Sequence, residues 1–179
     1  MRTLPIALLL VAAPVAAEEA QDPCRIAAAA DAPSRRDLAR CDHVIRQPGL
    51  APPTRLAMLL NRGIVRLRLQ QTALAIADFD LAIRAAPGLA EAWINKGIAL
   101  SRVPGGAAEA VALISRGIEL GPKEPARALF ARAQAQEAAG RLRDAMEDYG
   151  AAARADPDWP APAEELKRFR VERRQVLRG

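Results

Sequence analysis

The chain has 179 residues, a formal net charge of +5 and only 3% aromatic residues. That length fits a single domain, and the many alanines suit closely packed helices better than a sheet. The modest positive charge attracts acidic partners, but it does not by itself indicate nucleic-acid binding.

Residues 1–17 have the features of a secretory signal peptide. Arg2 supplies a basic start, an apolar stretch runs from Leu4 to Ala13, and small residues end the segment at Ala17. The stretch is shorter than the roughly 20 residues that a membrane-spanning helix needs, so cleavage after Ala17 is favoured over an uncleaved anchor. The sequence therefore predicts a soluble exported protein, most simply a periplasmic one.

Residues 18–53 are predicted to form a helical hairpin. Asp22 followed by Pro23 is a good helix start, because aspartate caps a helix and proline fits its first turn. A second helix is expected to begin at Ser34, where Asp37 completes a capping box.

The cysteine spacing predicts a disulfide in this hairpin. The break between the two helices lies midway between Cys24 and Cys41, so the cysteines sit at matching heights on facing helices. Export makes the bond chemically reasonable. The alternative, a redox-active pair, lacks the Cys-x-x-Cys spacing and an obvious cation to lower a thiol pKa.

A pattern with a period near 34 residues runs from Leu56 to Pro157. Small residues at two helix crossings let the helices approach, large residues fill the space between them, and a proline ends each second helix. One residue is inserted in the second set, and one extra residue precedes the third near Pro125. The three sets are Leu59, Gly63, Ala75, Phe79, Ala82 and Pro87; Trp93, Gly97, Ala110, Ile114, Gly117 and Pro122; and Leu129, Ala133, Ala145, Tyr149, Ala152 and Pro157.

On these residues, segment 54–157 resembles three tetratricopeptide repeats. The steps Asn61-Arg62-Gly63 and Asn95-Lys96-Gly97 match the family's asparagine–x–glycine step. The number of recurring positions favours this interpretation over a non-repeat helical bundle. The resemblance implies an all-α solenoid of antiparallel helix pairs, with the N-terminal hairpin as a degenerate unit.

The resemblance also implies a concave groove that binds a protein or peptide partner. An alternative is that Leu60, Ile64 and Leu67 merely pack against the N-terminal hairpin. The lysine–asparagine clamp that some family members use for partner carboxylates is mostly absent, since Leu60, Ile64 and Ala131 replace its polar residues. The expected groove residues are Leu60, Asn61, Ile64, Arg68, Ile94, Asn95, Ile98, Arg102, Arg127, Phe130 and Gln134.

Residues 158–179 are predicted to form a basic helix that caps the array. Leu166, Phe169 and Val176 share one side at helical spacing, and a terminal repeat needs a cover with a polar outer face. The alternative function is a peripheral envelope protein that binds anionic lipid or a polyanion through this helix. The basic residues are Lys167, Arg168, Arg170, Arg174 and Arg178.

No catalytic site is expected. His43 is the single histidine and has no neighbouring nucleophile with a third orienting residue. No phosphate-binding glycine loop and no metal-ligand spacing occurs, so neither cofactor nor metal is predicted. Nucleic acid is disfavoured as a partner, because export removes the usual ligand and no aromatics interleave with the basic residues.

Overall fold

The structure is a computed structural model that describes the backbone of residues 22–176 and the side chains of residues 22–169. The predicted leader at residues 1–17 lies outside the described residues. All regular structure in the described part is helical. In chain order the helices are α1 (Pro23–Ala29), α2 (Arg35–Ile45), α3 (Pro52–Arg68), α4 (Thr72–Ala85), α5 (Ala90–Leu100), α6 (Ala107–Glu119), α7 (Pro125–Ala138), α8 (Leu142–Ala155) and α9 (Ala161–Val176).

The helices pack as antiparallel pairs stacked in chain order. The pairs α3 with α4, α5 with α6 and α7 with α8 make the most extensive contacts, and each second helix then packs on the next pair. The first helices α3, α5 and α7 touch one another only slightly, which leaves a groove along their side of the stack. The predicted tetratricopeptide-type solenoid is confirmed.

Small residues let the paired helices cross closely, as the repeat pattern predicts. A Cβ added at Gly63 would lie 2.4 Å from a ring carbon of Phe79, and one at Gly97 would lie 2.5 Å from Cγ1 of Ile114. Both large side chains are fully buried. A larger residue at either glycine would force the two helices apart.

The N-terminal hairpin forms as predicted. The Asp22 carboxylate caps α1 by accepting a hydrogen bond from the backbone N of Cys24 at 2.8 Å, and a capping box begins α2. Cys24 and Cys41 form the predicted disulfide, with Cα atoms 4.8 Å apart. Both cysteines are fully buried, so the bond lies inside the hairpin rather than on its surface.

Buried ion pairs join the first two units, and the sequence pattern did not predict them. The guanidinium of Arg62 lies 2.6 Å from the carboxylate of Asp78 in its own helix pair and 2.9 Å from that of Asp42 in α2. Arg66 also pairs with Asp78, at 2.8 Å. Because Asp78 is only 1% exposed, two arginines compensate its charge away from water.

Equivalent bases in the later units make related contacts. Lys96 pairs with Asp80 of the preceding helix pair at 2.7 Å. Arg132 pairs with Asp148 of its own helix pair at 2.6 Å and donates to the Ser115 hydroxyl of the preceding one at 3.3 Å. Each of these bases therefore connects its own unit with the unit before it.

Helix α9 covers the last pair, as expected of a capping helix. Phe169 and Leu166 pack in a cluster with Tyr149 and Ala133, and the Phe169 and Tyr149 ring centroids are 6.0 Å apart. Among the described helices, none is both long and apolar enough to cross a membrane.

Candidate functional site

A cavity of about 400 Å³ opens between the first helices of the three pairs. Its walls are mostly apolar, and it is called the groove cavity below. Five of the predicted groove residues line it. The lining residues are Ile64 from α3; Glu91, Ile94, Asn95 and Ile98 from α5; Pro122, Lys123 and Glu124 from the segment before α7; and Arg127 and Ala128 from α7.

Helix α5 forms the centre of the groove cavity. Ile94 is buried against α6, where the missing Cβ of Gly117 would lie 2.5 Å from Ile94 Cγ1. Ile98 packs against the cores of both the first and the second unit. Asn95 lies between these two packed isoleucines in the chain, so the backbone that carries its side chain is held in place.

The polar side chains of the groove cavity differ in whether they have a hydrogen-bond or ion-pair partner within the described part of the chain. Glu91 accepts a hydrogen bond from the backbone N of Lys123 at 3.2 Å, which ties the loop before α7 to α5. Arg127 pairs with Glu124 at 3.0 Å. Asn95 is half-buried, and no described residue makes a hydrogen bond to its side-chain amide. This amide is therefore available to a ligand.

Three other predicted polar groove residues bind within the chain. Asn61 donates to the Asp22 carboxylate at 3.2 Å. Arg68 donates to carbonyl oxygens at the end of α1, and Arg102 donates to the Leu67 carbonyl at the end of α3. These arginines each cap the first helix of the preceding unit, and none of the three residues lines the groove cavity.

The apolar groove residues of α3 pack within the repeat array. Leu60, Ile64 and Leu67 share a cluster with Phe79 and residues of α5. The N-terminal hairpin packs on a different face of α3, through Met58 and Val65. The cluster that holds these three residues includes no described residue of the hairpin.

Phe130 lies in an aromatic cluster next to the groove cavity rather than in its wall. Its ring centroid is 5.2 Å from that of Tyr149 and 4.9 Å from that of Trp159. The Arg127 guanidinium lies 5.0 Å from the Trp159 centroid. Gln134 is exposed on α7 and does not line the groove cavity.

Sequence reasoning missed the segment before α7. Pro122, Lys123 and Glu124 line the groove cavity, but the repeat pattern predicts groove residues only on the first helices. The available signal was the extra residue near Pro125, since an insertion between two repeats lengthens the loop that borders the groove. Ala128 was missed because its small side chain gives no chemical signal.

The basic helix offers less surface than the sequence suggested. Leu166 and Phe169 are packed against the last helix pair, so they are not available as membrane contacts. Arg168 pairs with Glu137 and Glu165, each at 2.7 Å. Lys167 is exposed. The side chains of Arg170 and Arg174, and all of Arg178, lie outside the described part.

Among the described residues, no group of three or more His, Cys, Asp or Glu side chains is placed to hold a metal ion. His43 is exposed, and one ring nitrogen lies 3.0 Å from the amide of Gln47. The side-chain hydrogen bond of this ring in the described part of the chain is therefore to an amide and not to a hydroxyl or thiol.

Comparison with known proteins identifies the fold. No protein-family model matches the sequence, and no curated protein matches it. The NMR structure of the first TPR domain of the human RPAP3 protein has a TM-score of 0.60 at 20% identity, covering 66% of this chain and 91% of that one.

Two MamA structures are similar to the same extent. The crystal structure of MamA has a TM-score of 0.60 at 18% identity, over 73% of this chain and 72% of that one. The MamA RS-1 ArsTM double mutant has a TM-score of 0.63 at 20% identity, over 77% and 74%. The shared feature is the tetratricopeptide fold, which hosts unrelated functions, so function has to be argued from the groove itself.

Proposed function

We propose that this protein is a non-enzymatic scaffold that binds a peptide segment of a partner protein in the groove cavity. The single observation that carries the proposal is the half-buried Asn95 amide, which has no hydrogen-bond partner among the described residues and faces a mostly apolar cavity.

The chemistry of the groove cavity suits a peptide. Isoleucine side chains from α3 and α5 favour burial of an apolar side chain, since removing apolar surface from water is favourable by about 25 cal/mol per Å². An amide can both donate and accept hydrogen bonds, which fits it to orient a ligand. Concave and mostly apolar walls with a few polar groups are the usual features of a binding site.

We further propose that the protein acts in the periplasm after export. The leader-like residues 1–17 support this, and so does the buried Cys24–Cys41 disulfide, because disulfides persist in oxidising compartments. The partner would then be another exported protein.

A blocked cavity tests the proposal. Peptides are selected from a random displayed library on the purified oxidised protein, and their dissociation constants are measured by fluorescence anisotropy. Asn95→Trp fills the cavity with a bulky ring, and we expect it to weaken selected peptides by tenfold or more. The matched control is Ala112→Trp, which adds the same ring at an exposed position of α6.

Thermal unfolding followed by circular dichroism checks that both variants keep the helical fold. Equal peptide affinity for the two tryptophan variants, with the fold intact, would show that the groove cavity is not the binding site.

A further inference from the structure

The N-terminal hairpin has an outer face that no described helix covers. Helices α1 and α2 make their extensive contacts with each other and with α3 only. An open depression of about 410 Å³ lies on this face and is called the hairpin depression below. It is lined by Pro23 of α1 and by Arg36, Ala39, Arg40, His43 and Val44 of α2.

Two arginines border the hairpin depression. Arg36 and Arg40 are four residues apart, so they share one side of α2, and both are exposed. Arg36 has no acid within ion-pair distance in the described part of the chain. Arg40 lies 3.6 Å from Asp37, but its side chain is 60% exposed, and such a surface pair is weak. Both guanidinium groups are therefore accessible to an outside anion.

The four acids of the hairpin leave most of its positive charge uncompensated. Asp22 is 6% exposed and caps α1, and Asp42 pairs with arginines of α3. Asp37 is shared between Arg40 and the capping box that begins α2. Asp31 is exposed but does not line the depression. Across residues 22–50, five arginines are thus exposed against this one exposed acid.

Apolar surface accompanies the charge. The lining of the hairpin depression is mostly apolar, because the aliphatic stems of the two arginines add to Pro23, Ala39 and Val44. Ile26 is 55% exposed, and it lies three residues after Pro23 and hence on the same side of α1. The outer face therefore combines free guanidinium groups with an exposed aliphatic side chain.

We infer that the outer face of the hairpin binds the surface of a membrane that contains anionic phospholipid. The guanidinium groups of Arg36 and Arg40 contact lipid phosphates, to which arginine donates paired hydrogen bonds, and Ile26 inserts among the headgroups. This inference goes beyond the proposed function. None of the three residues lines the groove cavity, so the membrane contact leaves the residues of that cavity free.

The chemistry of the face suits a lipid surface better than an acidic peptide. A peptide in an extended conformation needs partners for its main-chain N–H and C=O groups. Pro23 has no N–H, and the backbone groups of Ala39 and Val44 lie inside α2, where they bond within the helix. A lipid surface needs only positive charge and apolar contact.

Vesicle binding by the exported, oxidised protein tests the inference. Mass spectrometry first establishes its N-terminus, because an apolar leader would itself bind lipid. Cosedimentation is measured with vesicles of phosphatidylcholine alone and with vesicles of about three parts phosphatidylcholine to one part phosphatidylglycerol. We expect binding to the anionic vesicles only, and we expect that binding to weaken as salt rises.

Charge variants assign the contact. Arg36→Gln and Arg40→Gln should each weaken vesicle binding by about fivefold, the usual contribution of one basic residue near an anionic surface. The matched control is Arg84→Gln with Arg143→Gln, which removes the same charge from exposed positions of α4 and α8. This control should bind vesicles nearly as wild type does.

A second pair of variants tests the apolar contact. Ile26→Ser should weaken vesicle binding, whereas Leu74→Ser should not, although Leu74 is 51% exposed on α4. Circular dichroism checks the fold of every variant. The affinity of groove peptides should be unchanged in all of them, so failure of this inference is distinguishable from failure of the proposed function.

Several outcomes overturn the inference. One is the absence of binding to anionic vesicles at low salt, and another is equal binding by the hairpin variants and their controls. Loss of binding only in Lys167→Gln with Arg170→Gln would assign the contact to α9 instead. Displacement by soluble glycerol phosphate would indicate a site for a free anion. Polyglutamate binding, or a dimer that depends on Ile26, without vesicle binding would identify an acidic protein or a second copy as the occupant.

Discussion

Tyr149 shows how one residue depends on its surroundings in the last repeat. It is 1% exposed, and its hydroxyl donates to the Glu137 carboxylate at 3.0 Å. Burial raises the pKa of Tyr149 far above its ordinary value, and the hydrogen bond to Glu137 raises that pKa further. The phenolate is therefore strongly disfavoured in the folded protein.

Alkaline titration should reveal this environment, because Tyr149 is the single tyrosine of the chain. The pKa of Tyr149 is higher in the folded state than in the unfolded chain. The stability that its neutral hydroxyl contributes is therefore fully present below the unfolded-state pKa of about 10, and it is lost as pH rises above that value. We expect phenolate absorbance to appear only together with loss of helical circular dichroism at high pH.

Glu137→Gln keeps a hydrogen-bond acceptor but removes the charge, so it should move this alkaline transition to lower pH. A phenolate that forms near pH 10 while the helices stay intact would contradict the buried placement of Tyr149.

At the scale of elements, α1 is the helix with the least support of its own. It has seven residues, and an isolated helix of that length is unstable in water. Four features hold it: the Asp22 cap, the bond from Asn61 to Asp22, the arginine at its C-terminal end and the disulfide. Of these, the disulfide is the one covalent link to α2.

Replacing both cysteines should loosen this helix selectively. In the chain-entropy account, a disulfide between cysteines 17 residues apart stabilises the folded protein by about 3 kcal/mol. We expect Cys24→Ala with Cys41→Ala to lower the free energy of unfolding by about that amount and to speed hydrogen exchange in α1 first. Urea unfolding and residue-resolved exchange measure the two effects.

Amides of α5 and α7 serve as the internal reference, since the disulfide does not touch them. Unchanged protection of α1 in the double variant would mean that the noncovalent contacts hold the helix without the disulfide.

The helices were predictable because their determinants are local or periodic. The caps at Asp22 and Ser34 depend on neighbouring residues, and Gly63 and Gly97 recur with the repeat. Half of the residues that line the groove cavity were predictable in the same way, since residues such as Ile94 and Asn95 occupy repeat positions. The position of Lys123 in the cavity wall was not predictable, because this residue lies in an inserted loop whose course depends on the packing around it.

The ion pairs escaped prediction for a different reason. Asp78 and Arg62 are 16 residues apart, and each is an ordinary charged residue in its own helix. Their pairing depends on the angle between two helices, which sequence spacing does not give. The capping role of Arg68 and Arg102 likewise requires the relative position of two first helices.

At the scale of the whole molecule, buried charge connects the units. Asp42, Arg62 and Asp78 join α2, α3 and α4, so the N-terminal hairpin and the first repeat share one electrostatic cluster. In a linear array stability depends on such interfaces between neighbours. Loss of one partner should then affect more than its own helix pair.

Two aspartates on α4 provide a matched comparison. Asp78→Ala leaves Arg62 and Arg66 partly buried, with the more exposed Asp42 as their remaining partner, and we expect a loss of about 3–5 kcal/mol of unfolding free energy. Asp80 also makes an ion pair, with Lys96, but its side chain is 35% exposed. Asp80→Ala should therefore cost about 1 kcal/mol or less. Urea unfolding of both variants gives the comparison, and equal losses would refute the role of burial.

Under the proposed function, the inserted loop before α7 contributes to partner recognition but not to the packing of the helix pairs. Lys123 borders the groove cavity but takes no part in the helix crossings or the buried ion pairs, which lie at fixed repeat positions. A lineage that carries this solenoid can therefore exchange residues in the loop and acquire a different partner while the stack itself is inherited unchanged. Among homologues with the same repeats, the loop is where divergence of binding partner should first be sought.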